Sequence, residues 1–195
     1  MVTIPDALWG ALLDALADAP PGVERVAFLD GIGRIGEGVV TTITVPDAEL
    51  HGGWYDVPAE AISEAGAHLR RLHMTRLAQV HTHGGDFCMH STRDDDMAYT
   101  QRTGALSIVL PRHATERPLL ANSTVHVRAD VGWKSLDSRE ADNWVRIVPS
   151  TLNFRRMKWQ TSLIDTRVTS TESSDRWPSR AFRSLVSGFR RITRI

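Results

Sequence analysis

QVHTHGGDFCMHSTRDDDMAYT, residues 79–100, decides how this chain is read. Within it stand His81, His83 and His90, Ser91, Asp86 and the run Asp94, Asp95, Asp96, and the chain's single cysteine, Cys88. Residues two apart on a strand point to the same face, so His81 and His83 can grip one metal ion between them. A zinc site that works on a substrate uses three protein ligands and keeps one position open for water. The third ligand is expected from Asp94, Asp95 or Asp96, at the start of the following helix, if that helix packs back against the strand. Ser91 stands where its hydroxyl, or the amides of the helix start, can face a developing oxyanion. Such a centre also needs a general base. The stretch holds no glutamate, so the base must come from another strand. Taken singly, a His–x–His pair is more often strand decoration, three aspartates a solvated helix start, and one cysteine a packed, unreactive residue. The joint spacing is what points to chemistry.

The 195 residues suffice for one domain with an extension and a real core. With 42% apolar and 24% charged residues the composition is that of an ordinary soluble globular protein. The formal net charge is zero, so no global field draws the chain to nucleic acid or to a membrane, although arginines crowd its C-terminal end. One cysteine excludes an internal disulfide framework and suits a reducing compartment. The N-terminal stretch is acidic and lacks the basic region of a secretory signal. No apolar run of about 18 residues is present. The expected location is the cytoplasm.

Outward from the quoted stretch the pattern alternates. Residues 6–18 carry Leu8, Trp9, Leu12, Leu13 and Leu16 at helical spacing, with Asp6 as the expected N-cap. Residues 24–33 and 36–46 read as two strands forming a hairpin, and 47–56 as a loop. Residues 57–74 place Ile62, Ala65, Leu69 and Leu72 on one helical face. Residues 75–83 form a buried strand that runs into the histidines, and 91–104 open a helix capped by Ser or Asp. Strands follow over 105–113 and within 123–136, then a short helix over 138–148. This order predicts a mixed α/β or α+β domain.

His81–x–His83, seven residues, then Ser91–x–x–Asp94 resembles the JAMM motif of the JAB/MPN metalloprotease family. That motif also has an upstream glutamate, which Glu24 supplies, followed by an apolar strand closed by Gly31. The chain departs from the family pattern at Ala27, often glycine, and at Gly84, often proline. The resemblance covers roughly residues 5–150. It implies a cytidine-deaminase-like, JAB/MPN-type fold: a central, mostly antiparallel sheet flanked by helices. It implies Zn²⁺ held by His81, His83 and Asp94 with water as fourth ligand, Glu24 as general acid/base, and Ser91 steadying the tetrahedral intermediate. Asp95 and Asp96 are then left to cap the helix or face solvent. The family hydrolyses isopeptide or peptide bonds at the C-terminus of ubiquitin or ubiquitin-like proteins, and some members without the ligands act only as scaffolds. The implied function is therefore a zinc isopeptidase or peptidase acting on a ubiquitin-like, β-grasp modifier. The alternative is a non-catalytic scaffold that binds such a modifier or a conjugation enzyme. A metallo-β-lactamase-like or amidohydrolase site is disfavoured, because the chain has no second His–x–His and only Lys134 and Lys158.

The small size and the preference for arginine over lysine suggest a bacterial chain, for which the resemblance implies E1- or E2-like conjugation proteins as partners. Trp54 and Tyr55 either line a substrate groove or pack on the next helix. Cys88 is either a packed residue or a thiolate within reach of the metal site. His90 is expected on the loop surface, and His51, His68, His73, His113 and His126 have no partner spacing. The metalloprotease domain is expected over 1–155 and a linker with a basic amphipathic segment over 156–195. Its stripe of Phe182, Leu185, Val186, Phe189 and Ile192 can pack on the domain, dock a partner or lie on an anionic membrane, the last the least favoured.

Overall fold

The computed structural model of the protein describes residues 1–18 and 20–152. The expected linker and basic segment, 156–195, lie outside the described residues. The elements in chain order are β1 (Val2–Pro5), α1 (Asp6–Ala17), β2 (Val26–Arg34), β3 (Glu37–Thr44), β4 (Glu49–His51), β5 (Trp54–Asp56) and α2 (Ala59–Arg71). They continue with β6 (Thr75–Thr82), α3 (Thr92–Asp96), β7 (Leu106–Leu110), β8 (Thr124–Ala129), β9 (Gly132–Ser135), α4 (Ser138–Ala141) and β10 (Val145–Val148).

Among the described residues one eight-stranded sheet runs in the order β10-β1-β3-β2-β6-β7-β8-β9. The pairs β2–β3, β2–β6, β7–β8 and β8–β9 are antiparallel, while β6–β7, β1–β3 and β1–β10 are parallel. The mixed α+β class with a mostly antiparallel sheet is therefore as expected. The strands at its centre carry the long Val, Ile and Leu runs. All five residues of β7 are fully buried, as a strand covered on both faces requires.

The two sheet faces divide the labour. Ala27 and Leu29 of β2, with Ala78 and Val80 of β6, join Trp9, Leu12, Leu13 and Leu16 of α1 in the main core. Each such large side chain contributes roughly 1.5–3 kcal/mol by leaving water. The alternate residues, Val26 and Phe28, turn to the other face and pack with Tyr55, backed by Ile62 of α2. Val26 pairs with His81 and Phe28 with Gln79, so the period-2 rule puts His81 on this second face. The turn between β2 and β3 uses Gly36 at φ +70°. A Cβ on Gly31 would lie 2.0 Å from the Val39 carbonyl oxygen, so only glycine fits where β2 bulges against β3.

Several sequence expectations need correction. Within the expected loop of 47–56, residues 49–56 form a β4–β5 hairpin, with Leu50 opposite the buried Tyr55. The helix cap at α1 is Pro5, because the Asp6 carboxylate accepts from the Ser150 backbone and hydroxyl instead. Leu72 is 49% exposed, since α2 ends at Arg71 and its stripe stops at Leu69. The helix expected over 91–104 is the five-residue α3, and that over 138–148 is α4 followed by the strand β10. Strand β1 was not expected. It pairs with β10 from the far end of the domain, Val2 opposite Val145, a partner no local window contains.

Candidate metal centre

His81 is the last residue but one of β6, and the chain leaves the sheet at His83, tied back by its N–H to the Leu110 carbonyl at 2.9 Å. The His113 N–H in turn donates to the His83 carbonyl at 2.9 Å. His83 Nδ1 donates to the Phe87 carbonyl at 2.9 Å, which fixes the tautomer and leaves Nε2 as the free acceptor. Asp94 is the third residue of α3. Ser91 caps that turn: its Oγ accepts from the Asp94 N–H at 3.2 Å, while the Asp94 Oδ2 accepts from the Ser91 N–H at 2.7 Å and from its hydroxyl at 2.8 Å. Asp94 is thereby fixed with one oxygen, Oδ1, 3.4 Å from His81 Nε2 and the other 3.5 Å from His83 Nε2.

These contacts suit a shared metal ion better than hydrogen bonds. Zinc ligands about 2.0–2.2 Å from the ion at tetrahedral angles stand roughly 3.3–3.5 Å from each other. His81 is fully buried, yet neither of its ring nitrogens has a hydrogen-bond partner. Buried polar groups are ordinarily paired, so this ring is built for a ligand of another kind. One ligand atom each from His81, His83 and Asp94 lies within 4.8 Å of the others, the one such three-residue group among the described residues. The donor set, two imidazoles and a carboxylate, fits a catalytic zinc-type site.

The electrostatics favour a neutral His81 and an anionic Asp94. Burial pushes the His81 pKa down to about 3, so the ring is neutral, as a ligand must be. Burial also opposes charge on His83, but the facing Asp94 carboxylate, the Phe87 carbonyl and Glu24 outweigh it and raise its pKa. Burial likewise acts to raise Asp94. The facing His83 and His81, and the Ser91 bonds, more than reverse it and hold the carboxyl well below its usual range.

Glu24 precedes β2 and is brought to the site by two bonds of its neighbour, from Thr82 N–H to the Arg25 carbonyl and from Arg25 N–H to Thr82 Oγ1, both 2.9 Å. It is 9% exposed. Burial first, and Asp94 second, raise its carboxyl pKa, against the pull of His83. His81, His83 and Asp94 thus meet at one centre with Ser91 bonded to Asp94, and Glu24 lies near enough to feel the charges of His83 and Asp94. Asp96 faces solvent as expected. Cys88 is buried and outside the ligand group, and burial, then Asp86, raise its thiol pKa. It therefore behaves as a packed thiol rather than a thiolate.

Other residues were not legible in the sequence. His90 is not on the loop surface: its side chain is 5% exposed, its Nδ1 lies 2.8 Å from Asp95 Oδ1 and its Nε2 2.9 Å from Ser107 Oγ. Its ring stacks on that of His126 at 3.9 Å, and its N–H donates to His126 Nε2 at 3.3 Å. Burial pushes the His126 pKa down to about 3. Asp95 is thus a partner of His90 and not a free helix cap. Tyr55 packs, donating nothing to the site, with its hydroxyl accepting from Gln79 at 2.8 Å and its ring 5.7 Å from that of His81. Trp54 stays 36% exposed between the stacked His51 ring and the Arg93 guanidinium. A pocket of about 150 Å³, lined by Val26, Phe28, Tyr55, Ile62 and Met97, opens on the same face as His81. Phe87, on the loop between ligands, is 73% exposed.

No protein-family model matches the chain. Over 100 residues, 49% of its length, it is 34% identical to "Probable metalloprotease y4jG" of Sinorhizobium fredii (strain NBRC 101917 / NGR234). The matched part is 60% of that relative's length, so the chain does not span the whole of it. Among solved structures it resembles protein DSY2949 of Desulfitobacterium hafniense, with a TM-score of 0.57 and 14% identity over 76% of this chain and 94% of that one. That likeness is one of fold. A looser overlap, TM-score 0.44 and 16% identity over 75% of this chain and 97% of the other, is with AF2198, a JAB1/MPN domain protein of Archaeoglobus fulgidus. The metalloprotease character that the motif implies agrees with the name of the first of these relatives.

Proposed function

We propose that the chain is a zinc-dependent peptidase or isopeptidase that cuts after the C-terminus of a ubiquitin or ubiquitin-like, β-grasp modifier, releasing it from targets or maturing its precursor. The observation that carries the reading is the fully buried His81 ring, unpaired at both nitrogens, 3.4 Å from an Asp94 oxygen whose partner oxygen lies 3.5 Å from His83 Nε2. His81, His83 and Asp94 hold the ion. Bound there, Zn²⁺ polarises the scissile carbonyl and lowers the pKa of water to about 7.

The chain's own residues do the rest. Glu24, buried and with a raised pKa, takes the proton of the attacking water and returns it to the departing amine. Ser91 is exposed, and its hydroxyl, which now donates to Asp94, is assigned to the developing oxyanion. The exposed Phe87 and Trp54 beside the centre and the apolar pocket next to His81 support a polypeptide substrate. An extended modifier tail is expected to bind as an added strand. E1- or E2-like conjugation proteins are proposed as partners, and the cytoplasm as the place of action. Among the described residues no helix is long and apolar enough to cross a membrane.

The test is cleavage of linear and isopeptide-linked ubiquitin-like fusions by the zinc-loaded chain, with Glu24→Gln as control. Cleavage after the modifier's C-terminus that falls about 10²- to 10⁴-fold in the variant, zinc content unchanged, is expected. A chain that binds zinc and the modifier but cuts no fusion is a scaffold, and the enzyme reading fails.

A further inference from the structure

Helix α3 has five residues. A helix that short has no stability of its own in water, yet it must hold Asp94 to within tenths of an ångström of a fixed position. Ser91 fixes the carboxylate relative to the turn. Something else must fix the turn relative to the sheet that carries His81 and His83.

We propose that His90 is a positioning residue that acts through Asp95, bracketing the Ser91–Asp94 turn, while its backbone N–H, donated to His126, ties that turn to β8. The inference rests on the metal-centre reading above. His90 immediately precedes Ser91 and Asp95 immediately follows Asp94, so their 2.8 Å contact closes a ring around the turn. Asp95 is an acceptor when ionised, which puts the His90 proton on Nδ1 and leaves Nε2 to accept from the Ser107 hydroxyl at 2.9 Å. Ser107 is fully buried on β7. The His90 N–H donates to His126 Nε2 on β8, and the two rings stack at 3.9 Å with 16° between their planes. A second tie, from Gln101 Nε2 to the Asp95 carbonyl at 2.7 Å, holds the far side of the turn. His90 and Asp95 touch no substrate position. Their work is to hold the third ligand where the two imidazoles need it, as outer-shell partners of metal ligands do.

The two bonds of His90 can be separated. In His90→Asn an amide N–H stands near where Nδ1 stood and can keep Asp95. In His90→Gln the amide reaches the Nε2 position and keeps Ser107 only. The test measures the Zn²⁺ dissociation constant of the full chain by competition with a chromophoric chelator, alongside the unfolding midpoint in chelator. His90→Gln and Asp95→Ala are expected to weaken zinc binding about tenfold or more, with His90→Asn within about threefold of wild type. The double variant His90→Gln/Asp95→Ala should be no weaker than either single one, since both break the same bond. Equal losses in His90→Asn and His90→Gln, or additive losses in the double variant, overturn the proposal. If the His90 variants do not fold, Asp95→Ala decides alone, because that side chain is 44% exposed and its removal leaves the core intact. Wild-type affinity in Asp95→Ala sinks this inference only. A wild type that takes up no zinc sinks the metal centre along with it.

Discussion

The buried histidines make acid sensitivity the most quantitative consequence of this structure. Consider the metal-free chain, kept so by chelator, moved from pH 6 to pH 5. His81 and His126 are 0% and 2% exposed, and burial holds both pKa values at about 3. In the unfolded chain an ordinary histidine titrates near 6.5. Between about pH 6.5 and pH 3 the unfolded state therefore binds protons that the folded state refuses, and stability falls as the pH falls. For one such group the linkage relation gives about 1 kcal/mol from pH 6 to pH 5. This value hardly changes if the folded pKa lies a unit higher. Two groups give about 2 kcal/mol. His90, also lowered by burial, adds in the same sense. His83, with its raised pKa, is largely charged in both states over this interval and adds little. Glu24, raised by burial, works in the opposite sense, but one group cannot cancel two. The net loss is on the order of 2 kcal/mol, a large share of a domain's 5–15 kcal/mol. Urea unfolding at the two pH values measures it as the change in extrapolated free energy. His126→Gln keeps an acceptor for the His90 N–H but cannot be charged, and should roughly halve the difference. Equal stability at pH 5 and pH 6, or an unaltered difference in His126→Gln, would refute the reasoning.

Three further outcomes are expected. Ser91→Ala removes an N-cap and both Ser91 hydroxyl bonds to Asp94, and should cost about 0.5–2 kcal/mol in urea unfolding along with a lower turnover rate; unchanged stability and turnover would count against its place in the site. Cys88→Ser should leave zinc content and cleavage as in the wild type, since the thiol is packed and outside the ligand group; lost zinc on elemental analysis would make it a ligand after all. Leu12→Ala, at the fully buried middle of α1, should cost about 2–5 kcal/mol by leaving a cavity in the core where α1 lies on β3 and β2; thermal unfolding within a degree of wild type would contradict the packing described.

The site was legible in outline because its signals are local. Two histidines on one strand face, a serine three residues before an aspartate and an acidic helix start are all properties of one window, and Glu24 marks the head of a strongly apolar strand. What the sequence hid depends on partners far apart in the chain. His90 reads as a loop residue until Ser107 and His126 arrive from β7 and β8. Asp95 reads as a solvated helix start until His90 turns inward. The β4–β5 hairpin escaped because its strands are three residues each, too short for a period, and Tyr55 is its one buried anchor. Strands β1 and β10 escaped because each is four residues long and pairs with the other across the whole domain. Length and periodicity found the centre of the sheet, and tertiary pairing alone defines its margin.

The central claim is that His81, His83 and Asp94 form a metal centre, and zinc per chain by elemental analysis tests it most directly, in the wild type and in Asp94→Ala. About one zinc per wild-type chain, lost in the variant while both remain folded, is the predicted result. No zinc in folded wild type even after its addition, or the same zinc content in the variant, would contradict it.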